Sequence, residues 1–185
     1  MQHFILASKS PRRHELLKAL GYTFEVVDLD ADESFPETTP VEEIAALISR
    51  KKALAYTKNL HVPVITADTI VVLGREVLGK PKDREEAFLM LRKLSDNTHQ
   101  VYTAVTIRSK EKTYTFTERT DVTFRSVTEE EIAYYVDTLE PYDKAGSYGV
   151  QDWWGMAVVR SLNGSYTNVM GLPTEKLYEV LSAQF

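Results

Sequence analysis

The sequence contains no cysteine among its 185 residues. This absence excludes disulfide bonds, thiolate nucleophiles and metal sites built on cysteine. Only four histidines are present, and they lie too far apart in the chain to show the short spacing of a histidine metal motif. Any metal ion bound by this chain is therefore expected on oxygen ligands, a donor set that suits Mg²⁺ or Mn²⁺.

Long hydrophobic runs and an excess of basic residues are also absent. No apolar run approaches the roughly 18 residues that a membrane-spanning helix needs, and the N-terminus lacks a basic leader with a long apolar stretch. We therefore expect a cytoplasmic protein with no membrane partner. The net charge is −5 and the pI is near 5.5, so a nucleic-acid partner is not expected. A small anion could still bind at a local cluster of basic residues.

Strand and helix patterns alternate along the chain, without a Ser/Gly-rich linker, an internal repeat or a low-complexity segment. With 43% apolar residues, the chain can form one substantial core or two lobes that share a sheet. We predict a single α/β domain over residues 1–185, with a mixed sheet that contains hairpins. Predicted strands cover residues 4–7, 24–27, 62–67, 70–78 with a turn at 74–75, 100–108 and 114–126, and a hairpin at 163–164 joins 156–162 to 166–170.

Predicted helices cover residues 12–20, 83–94 and 128–138, with one more after residue 42 and one from about residue 173. Capping patterns mark several of their starts. Thr39 with Glu42, and Thr128 with Glu131, have the spacing of a capping box. In the first helix, Ser10 is expected to cap the N-terminus through its side chain. These caps predict where helices begin.

The segment from Ser8 to Arg13 follows an apolar strand and opens a helix. Pro11 suits the first helical position, and the free N–H groups there favour an anion. Two arginines and two hydroxyls lie in the same segment, so it predicts a phosphate-binding site. The alternative is a well-capped helix that carries surface arginines.

Two carboxylates are candidates for acid–base or metal chemistry. Asp68 comes directly after a buried strand, at the edge of the core, where α/β proteins commonly bind ligands. It is a candidate metal ligand or general base, and the alternative is that it only caps a turn. Glu33, in an acidic loop, could supply a second carboxylate, although its acidic neighbours also fit a solvated loop.

Three further side chains are candidates with weaker patterns. Lys80 lies between Gly79 and Pro81, which could pin its ammonium group, although most such lysines are surface residues. Lys52 lies in a basic run on the second helix, which alone would favour a solvated face. Gln151 ends a segment rich in small residues and could bind a base edge, or could simply enter a strand.

Six segments, in this order along nearly the whole chain, together resemble the Maf family. They are Leu6 to Arg13, Ala67-Asp68-Thr69, Gly79-Lys80-Pro81, Asp143 to Gly146, Tyr148 to Gln151, and Gly164-Ser165-Tyr166 with Gly171-Leu172-Pro173. The resemblance implies a nucleoside triphosphate pyrophosphatase that uses a divalent metal. It also implies an elongated α/β fold similar to inosine triphosphate pyrophosphatases, with a mixed sheet flanked by helices and two lobes around a central cleft.

The resemblance also implies roles for individual residues. Asp68 would accept a proton and, with Glu33, hold Mg²⁺ or Mn²⁺. Arg12, Thr69 and Gln151 match the base-specificity positions of the dTTP/UTP branch, although Asp152-Trp153-Trp154 departs from the glycine that often follows there. The residues expected to bind phosphate are Ser8, Ser10, Arg13, Lys52 and Lys80.

The expected ligand is thus a pyrimidine nucleoside triphosphate, including modified pyrimidines, hydrolysed to the monophosphate and pyrophosphate in nucleotide-pool cleansing. The family resemblance further suggests a homodimer and a link to septum formation in cell division. The alternative function is a nucleotide-binding regulator of septum formation without turnover.

Overall fold

The computed structural model describes residues 3–58 and 60–185. Within these residues the chain forms strands and helices in alternation, as the sequence pattern predicts. The strands are β1 His3–Ala7, β2 Thr23–Val27, β3 Val64–Leu73, β4 Glu76–Leu78, β5 Thr98–Arg108, β6 Thr113–Phe124 and β7 Val159–Asn163. The helices are α1 Pro11–Ala19, α2 Val41–Ala55, α3 Arg84–Leu94, α4 Glu129–Leu139, α5 Trp153–Ala157, α6 Tyr166–Met170 and α7 Thr174–Gln184.

The strands of the described residues form one seven-stranded sheet of mixed direction. Its order is β2-β1-β3-β5-β6-β7, and β4 pairs with β3. Strand β1 runs parallel to β2 and β3, whereas the pairs β3–β4 and β6–β7 are antiparallel. The predicted mixed α/β class is therefore confirmed.

The chain divides into two compact units. The first comprises the chain up to Thr69 with Thr103–Glu118 and Gly171–Phe185. Strand β1 is buried from Phe4 to Ala7, as expected of a parallel strand covered on both faces. Helix α1 adds Leu17, and α7 adds residues with helical spacing. The main core of this unit consists of Phe4, Leu6, Leu17, Ile65, Ala67, Val105, Ile107, Phe116, Leu172, Leu177, Val180 and Leu181.

The second unit comprises Ile70–Tyr102 and Arg119–Met170 and has its own core. Helices α3 and α4 contact each other and bury their apolar faces. Aromatic rings dominate the centre, where Phe124 makes edge contacts with His99, Tyr148 and Trp154 at centroid distances of 4.7, 4.9 and 5.8 Å. No helix of the two described ranges is long and apolar enough to cross a membrane. The predicted single domain, the central cleft and the homodimer stay predictions.

The two predicted capping boxes have different outcomes. The predicted capping box at Thr128 and Glu131 is present, with both reciprocal hydrogen bonds. At α3, Asp83 caps the helix by accepting a hydrogen bond from the backbone N–H of Glu86. The box predicted at residues 39–42 is wrong, because Pro40 occupies the N-cap position and the N–H of Thr39 donates to Pro36 in a preceding turn.

Two strand predictions are also wrong. The break predicted around Asp68 does not occur, because β3 continues from Val64 to Leu73 and turns only at Gly74. The predicted hairpin at residues 163–164 is replaced by β7 and α6, since β7 pairs back with β6. Gly164 is required there for close approach: a Cβ atom would lie 2.6 Å from Oγ1 of Thr120.

Candidate functional site

The loop between β1 and α1 is organised by Ser8. Its hydroxyl accepts a hydrogen bond from the backbone N–H of Ser10 at 3.2 Å, and its carbonyl lies 2.6 Å from Nε2 of His14. Ser10 occupies the N-cap position and Pro11 the first helical position, as predicted. The predicted side-chain cap by Ser10 is wrong, because its hydroxyl makes no capping hydrogen bond. The nearby Ser8 hydroxyl instead closes the turn that leads into the helix.

The Arg13 guanidinium fastens this loop to two other segments of the first unit. Its Nε donates to the carbonyl of Gly171 at 2.8 Å, and Nη1 donates to the carbonyl of Ala67 at 2.8 Å. Nη1 also lies 3.4 Å from Oγ of Ser8, and Nη2 donates to Oγ1 of Thr69 at 3.0 Å. All three guanidinium nitrogens therefore hold protein atoms in fixed positions.

The charge of Arg13 lies in a partly buried, polar environment. Burial lowers the pKa of its guanidinium, and the neighbouring Arg12 charge lowers it further, whereas Asp68 and Glu33 act against this shift. An arginine keeps its proton under such shifts because its ordinary pKa is above about 12. Arg12, Asp68 and Glu33 are thus each close enough to Arg13 to influence its charge.

A lysine joins the two candidate carboxylates. Nζ of Lys52 donates to Oδ1 of Asp68 at 2.7 Å and pairs with Oε1 of Glu33 at 2.8 Å. The side chains of Lys52 and Asp68 are only 15% and 12% exposed, whereas that of Glu33 is 62% exposed. The structure therefore brings together three residues that lie in a loop, a helix and a strand.

The position of Lys52 follows from the way α2 packs. Its buried face carries Ile44, Ile48 and one polar residue, Ser49. The Ser49 hydroxyl donates to Oγ1 of Thr106 at 2.9 Å, and Oγ1 of Thr66 donates to the Ser49 carbonyl at 2.8 Å. Because Lys52 follows Ser49 by one helical turn, and Asp68 follows Thr66 by one strand repeat, these bonds place the ammonium against the carboxylate.

The electrostatics of Asp68 suit a proton acceptor. Burial raises the pKa of its carboxyl, Lys52 and Arg13 lower it, and Glu33 adds to the increase. The net direction is upward from the ordinary value. A carboxylate in such surroundings is a stronger base than one in water, which is the property that general-base catalysis needs.

Asp68 and Glu33 also fit part of a magnesium site. Two carboxylates that bind one Lys52 ammonium group face a common point, and Mg²⁺ is typically held by one or two carboxylates together with substrate phosphates. Groups of three or more histidine, aspartate or glutamate side chains suited to a metal are absent from residues 3–58 and 60–185. The donor set therefore matches an ion whose remaining ligands come from water and substrate.

Lys80 and Gln151 belong to the second unit. Both side chains are exposed. The carbonyl of Gly79 accepts a hydrogen bond from the N–H of Gly146 at 3.0 Å, so the segment of Lys80 lies against the small-residue segment that precedes Gln151. Gly146 has a φ of +69°, and a Cβ there would lie 3.0 Å from Val71. This explains why that position carries glycine.

The sequence pattern does not reveal several residues that hold the candidate site segments in place. Tyr135 holds the segment around Gln151: its hydroxyl accepts from the N–H of Gly149 at 3.0 Å and donates to Asp152 at 2.9 Å. In the first unit, Thr103 was also missed, and it lies beside Thr69. No local motif marks Tyr135 or Thr103, because each acts through a partner far away in the sequence. Gly171 belongs to a motif segment, but its carbonyl contact with Arg13 could not be read from that segment.

Comparison with known proteins gives full-length matches. The family described as Maf-like protein matches residues 3–184. The "dTTP/UTP pyrophosphatase" of Bacteroides thetaiotaomicron is 52% identical over 178 residues, which cover 94% of this chain and 92% of that protein. The protein of the same name from Flavobacterium psychrophilum is 48% identical over 176 residues, which cover 94% of this chain and 90% of that protein.

Among solved structures, the Staphylococcus aureus Ham1 protein is similar in fold. It has a TM-score of 0.57 and 18% identity, with 100% of both chains covered. At this identity the likeness concerns the fold alone. Because the family match extends from residue 3 to residue 184 and full-length relatives share about half of their residues with it, the chain belongs to the Maf family.

Proposed function

We propose that this protein hydrolyses dTTP and UTP to the nucleoside monophosphate and pyrophosphate. The observation that carries the proposal is the Lys52 ammonium between the buried Asp68 and Glu33, 2.7 and 2.8 Å from their oxygens. This arrangement combines a base with groups that can compensate phosphate charge. Relatives at about half identity are named for this activity.

Asp68 is the proposed base. A water molecule attacks the α-phosphorus, one of its protons passes to the Asp68 carboxylate, and the bond between the α-phosphorus and the bridging oxygen breaks. Pyrophosphate leaves with that oxygen. No covalent intermediate with the protein is needed, so positioning and charge compensation supply the acceleration.

Cationic side chains compensate the charge that develops on the phosphates. Lys52 and Arg13 have the required charge beside Asp68, and the Ser8 and Ser10 hydroxyls belong to the loop that precedes the helix of Arg13. A divalent ion bound by Asp68 and Glu33 would add positive charge and make the attacking water more acidic. Lys80 is proposed to bind phosphate on the basis of the resemblance alone.

Recognition of the base is proposed for Arg12, Thr69 and Gln151. Gln151 carries both a donor and an acceptor, and Thr69 carries a hydroxyl that can do either, so they can pair with the edge of uracil or thymine. A site built from such groups rejects bases that leave them unpaired. Purine triphosphates should therefore be poor substrates. The methyl group of thymine is worth only about 1–3 kcal/mol in a pocket, so both dTTP and UTP are expected to react.

The test is pyrophosphate release from a panel of nucleoside triphosphates with Mg²⁺ or Mn²⁺, repeated with a chelator. Asp68→Asn should lower kcat at least about a hundredfold, because it removes the base while keeping the shape of the side chain. Asp137→Asn is the matched control, since Asp137 pairs with Arg84 on the exposed surface. Its activity should equal that of the wild type.

Three outcomes would contradict the proposal. Near-normal turnover by folded Asp68→Asn would remove that residue from the mechanism. Faster hydrolysis of 7-methyl-GTP or ITP than of dTTP and UTP would contradict the pyrimidine specificity. Tight nucleotide binding without pyrophosphate release would instead favour a regulatory nucleotide-binding protein, the alternative that includes a role in septum formation.

A further inference from the structure

We propose that Thr103 is a specificity-determining residue that orients the Thr69 hydroxyl so that it accepts a hydrogen bond from uracil or thymine and rejects cytosine. This inference rests on the proposed function. It concerns the choice among pyrimidines, for which the triphosphates of uracil and cytosine are the sharpest comparison.

Thr103 lies on β5, inside the first unit, and its side chain is fully buried. Its Oγ1 lies 2.9 Å from Oγ1 of Thr69, which is within hydrogen-bond distance. Thr69 itself is partly exposed. Thr103 is therefore placed to act on the nucleotide through Thr69, as a positioning residue.

The hydroxyl of Thr69 has one hydrogen and two lone pairs. Nη2 of Arg13 donates to it at 3.0 Å and so uses one lone pair, because a guanidinium can only donate. This donation polarises the hydroxyl and makes it a better donor in turn. The favoured arrangement is then a chain in which Arg13 donates to Thr69 and Thr69 donates to Thr103. One lone pair of Thr69 remains.

That remaining lone pair discriminates between pyrimidines. Uracil and thymine carry a hydrogen on N3, which can donate to Thr69. Cytosine has only a lone pair on N3, so it would face the Thr69 lone pair without a hydrogen between them. Leaving both groups without a hydrogen-bond partner costs binding free energy. Thr103 thus converts a hydroxyl that could either donate or accept into one that only accepts.

The rest of the cluster keeps the donor in place. Arg13 is held on its other side by the carbonyls of Gly171 and Ala67, so its Nη2 cannot turn away from Thr69. Gly171 has a φ of +109°, and a Cβ there would lie 3.4 Å from Oγ1 of Thr69. The Thr69 hydroxyl therefore has fixed neighbours on several sides.

The test compares Thr103→Val with Thr103→Ser by measuring kcat/KM for UTP and for CTP. Valine has nearly the shape of threonine without the hydroxyl, which frees the Thr69 hydrogen to donate to N3 of cytosine. We expect the UTP/CTP ratio to fall at least about fivefold in Thr103→Val, in line with one hydrogen bond. Thr103→Ser keeps the hydroxyl and should keep the ratio within about twofold of the wild type.

Failure of this inference is distinguishable from failure of the proposed function. If the wild type released no pyrophosphate from UTP, the proposed function would be wrong. If the wild type hydrolysed UTP but Thr103→Val kept its UTP/CTP ratio, or Thr103→Ser lost as much as Thr103→Val, only the role of Thr103 would be wrong. Thr103→Ala, checked for folding by circular dichroism, serves as a second variant without the hydroxyl if the valine variant does not fold.

Discussion

Replacing Arg13 by lysine keeps a positive charge beside Asp68 but removes the planar arrangement of donors. Arg13 donates to the carbonyls of Gly171 and Ala67, each at 2.8 Å, and to Thr69 at 3.0 Å. A single ammonium nitrogen cannot reach both carbonyls and the hydroxyl from one position. At least two of these hydrogen bonds should therefore be lost.

The expected cost follows from those two bonds. A hydrogen bond to a charged group contributes about 1.5–3 kcal/mol, so Arg13→Lys should lower the free energy of unfolding by at least about 3 kcal/mol. For a chain of this size that corresponds to a decrease in melting temperature of roughly 6–12 °C. Differential scanning calorimetry measures this decrease directly. Arg75→Lys is the control, since Arg75 is exposed in the turn after β3 and should melt like the wild type.

An almost unchanged melting temperature of Arg13→Lys would contradict this prediction. If Arg13→Lys melted within about 2 °C of the wild type, which is less than 1 kcal/mol in a chain of this size, the four contacts of Arg13 would not stabilise the fold. A loss of kcat in that same variant would then assign Arg13 to the substrate alone. A lower melting temperature with partly retained kcat is the outcome that we expect.

Three further predictions concern other positions. Burial lowers the pKa of His99 to about 4, so the unfolded chain, with a pKa of about 6.5, takes up a proton first as the pH falls. The contribution of His99 to the free energy of unfolding is complete above about pH 6.5 and is about 2 kcal/mol smaller at pH 5. Urea titrations above pH 6.5 and at pH 5 should show this decrease in the wild type, and the His99→Gln variant should lack it. Gly171→Ala should cost about 1–3 kcal/mol because its φ of +109° disfavours a side chain, whereas Gly74→Ala, at φ +65° with open space around it, should cost less in the same titrations. Tyr135→Phe leaves the N–H of Gly149 without its partner and should cost about 1–3 kcal/mol by the same measurement; an unchanged midpoint would mean that water replaces the hydroxyl.

The elements that the sequence predicts well are those whose ends are determined locally. The caps of α3 and α4 use side chains within three residues of the helix start, and both are formed. The cap by Ser10 is wrong, because its hydroxyl accepts no N–H of the first helical turn. The hydroxyl that stabilises the entry to the helix is that of Ser8, which accepts from the N–H of Ser10. Both serines lie in one short segment, and the sequence pattern does not show which of the two hydroxyls bonds the backbone.

Errors elsewhere come from partners far away in the sequence. The predicted hairpin after β7 requires the next segment to be a strand, whereas Tyr166–Met170 forms α6 and β7 pairs with β6 through Val122 and Leu162. The predicted break at Asp68 assumes that a charge ends a strand. Lys52, sixteen residues earlier, neutralises that charge, and β3 continues.

In the candidate site, too, the sequence indicates residues within local motifs but not their distant partners. The motif segments name Ser8, Arg13 and Asp68, and the structure places all three in one compact unit, while their roles stay predictions. Thr103 could not be found, since a threonine in a β-rich run is ordinary and its partner is 34 residues away. Pairs of this kind are recognised only in the three-dimensional structure, where residues distant in the sequence come into contact.

The ammonium of Lys52 gives both carboxylates an internal counter-ion. Without it, a buried and an exposed carboxylate would repel each other, and the folded chain would need a cation from solution to be stable. With it and the nearby Arg13 guanidinium, two positive charges already balance the two carboxylates in the apo-protein. If the proposed metal dependence holds, we therefore expect a chelator to stop turnover while leaving the melting temperature nearly unchanged, so that the metal ion would control activity without controlling the amount of folded protein.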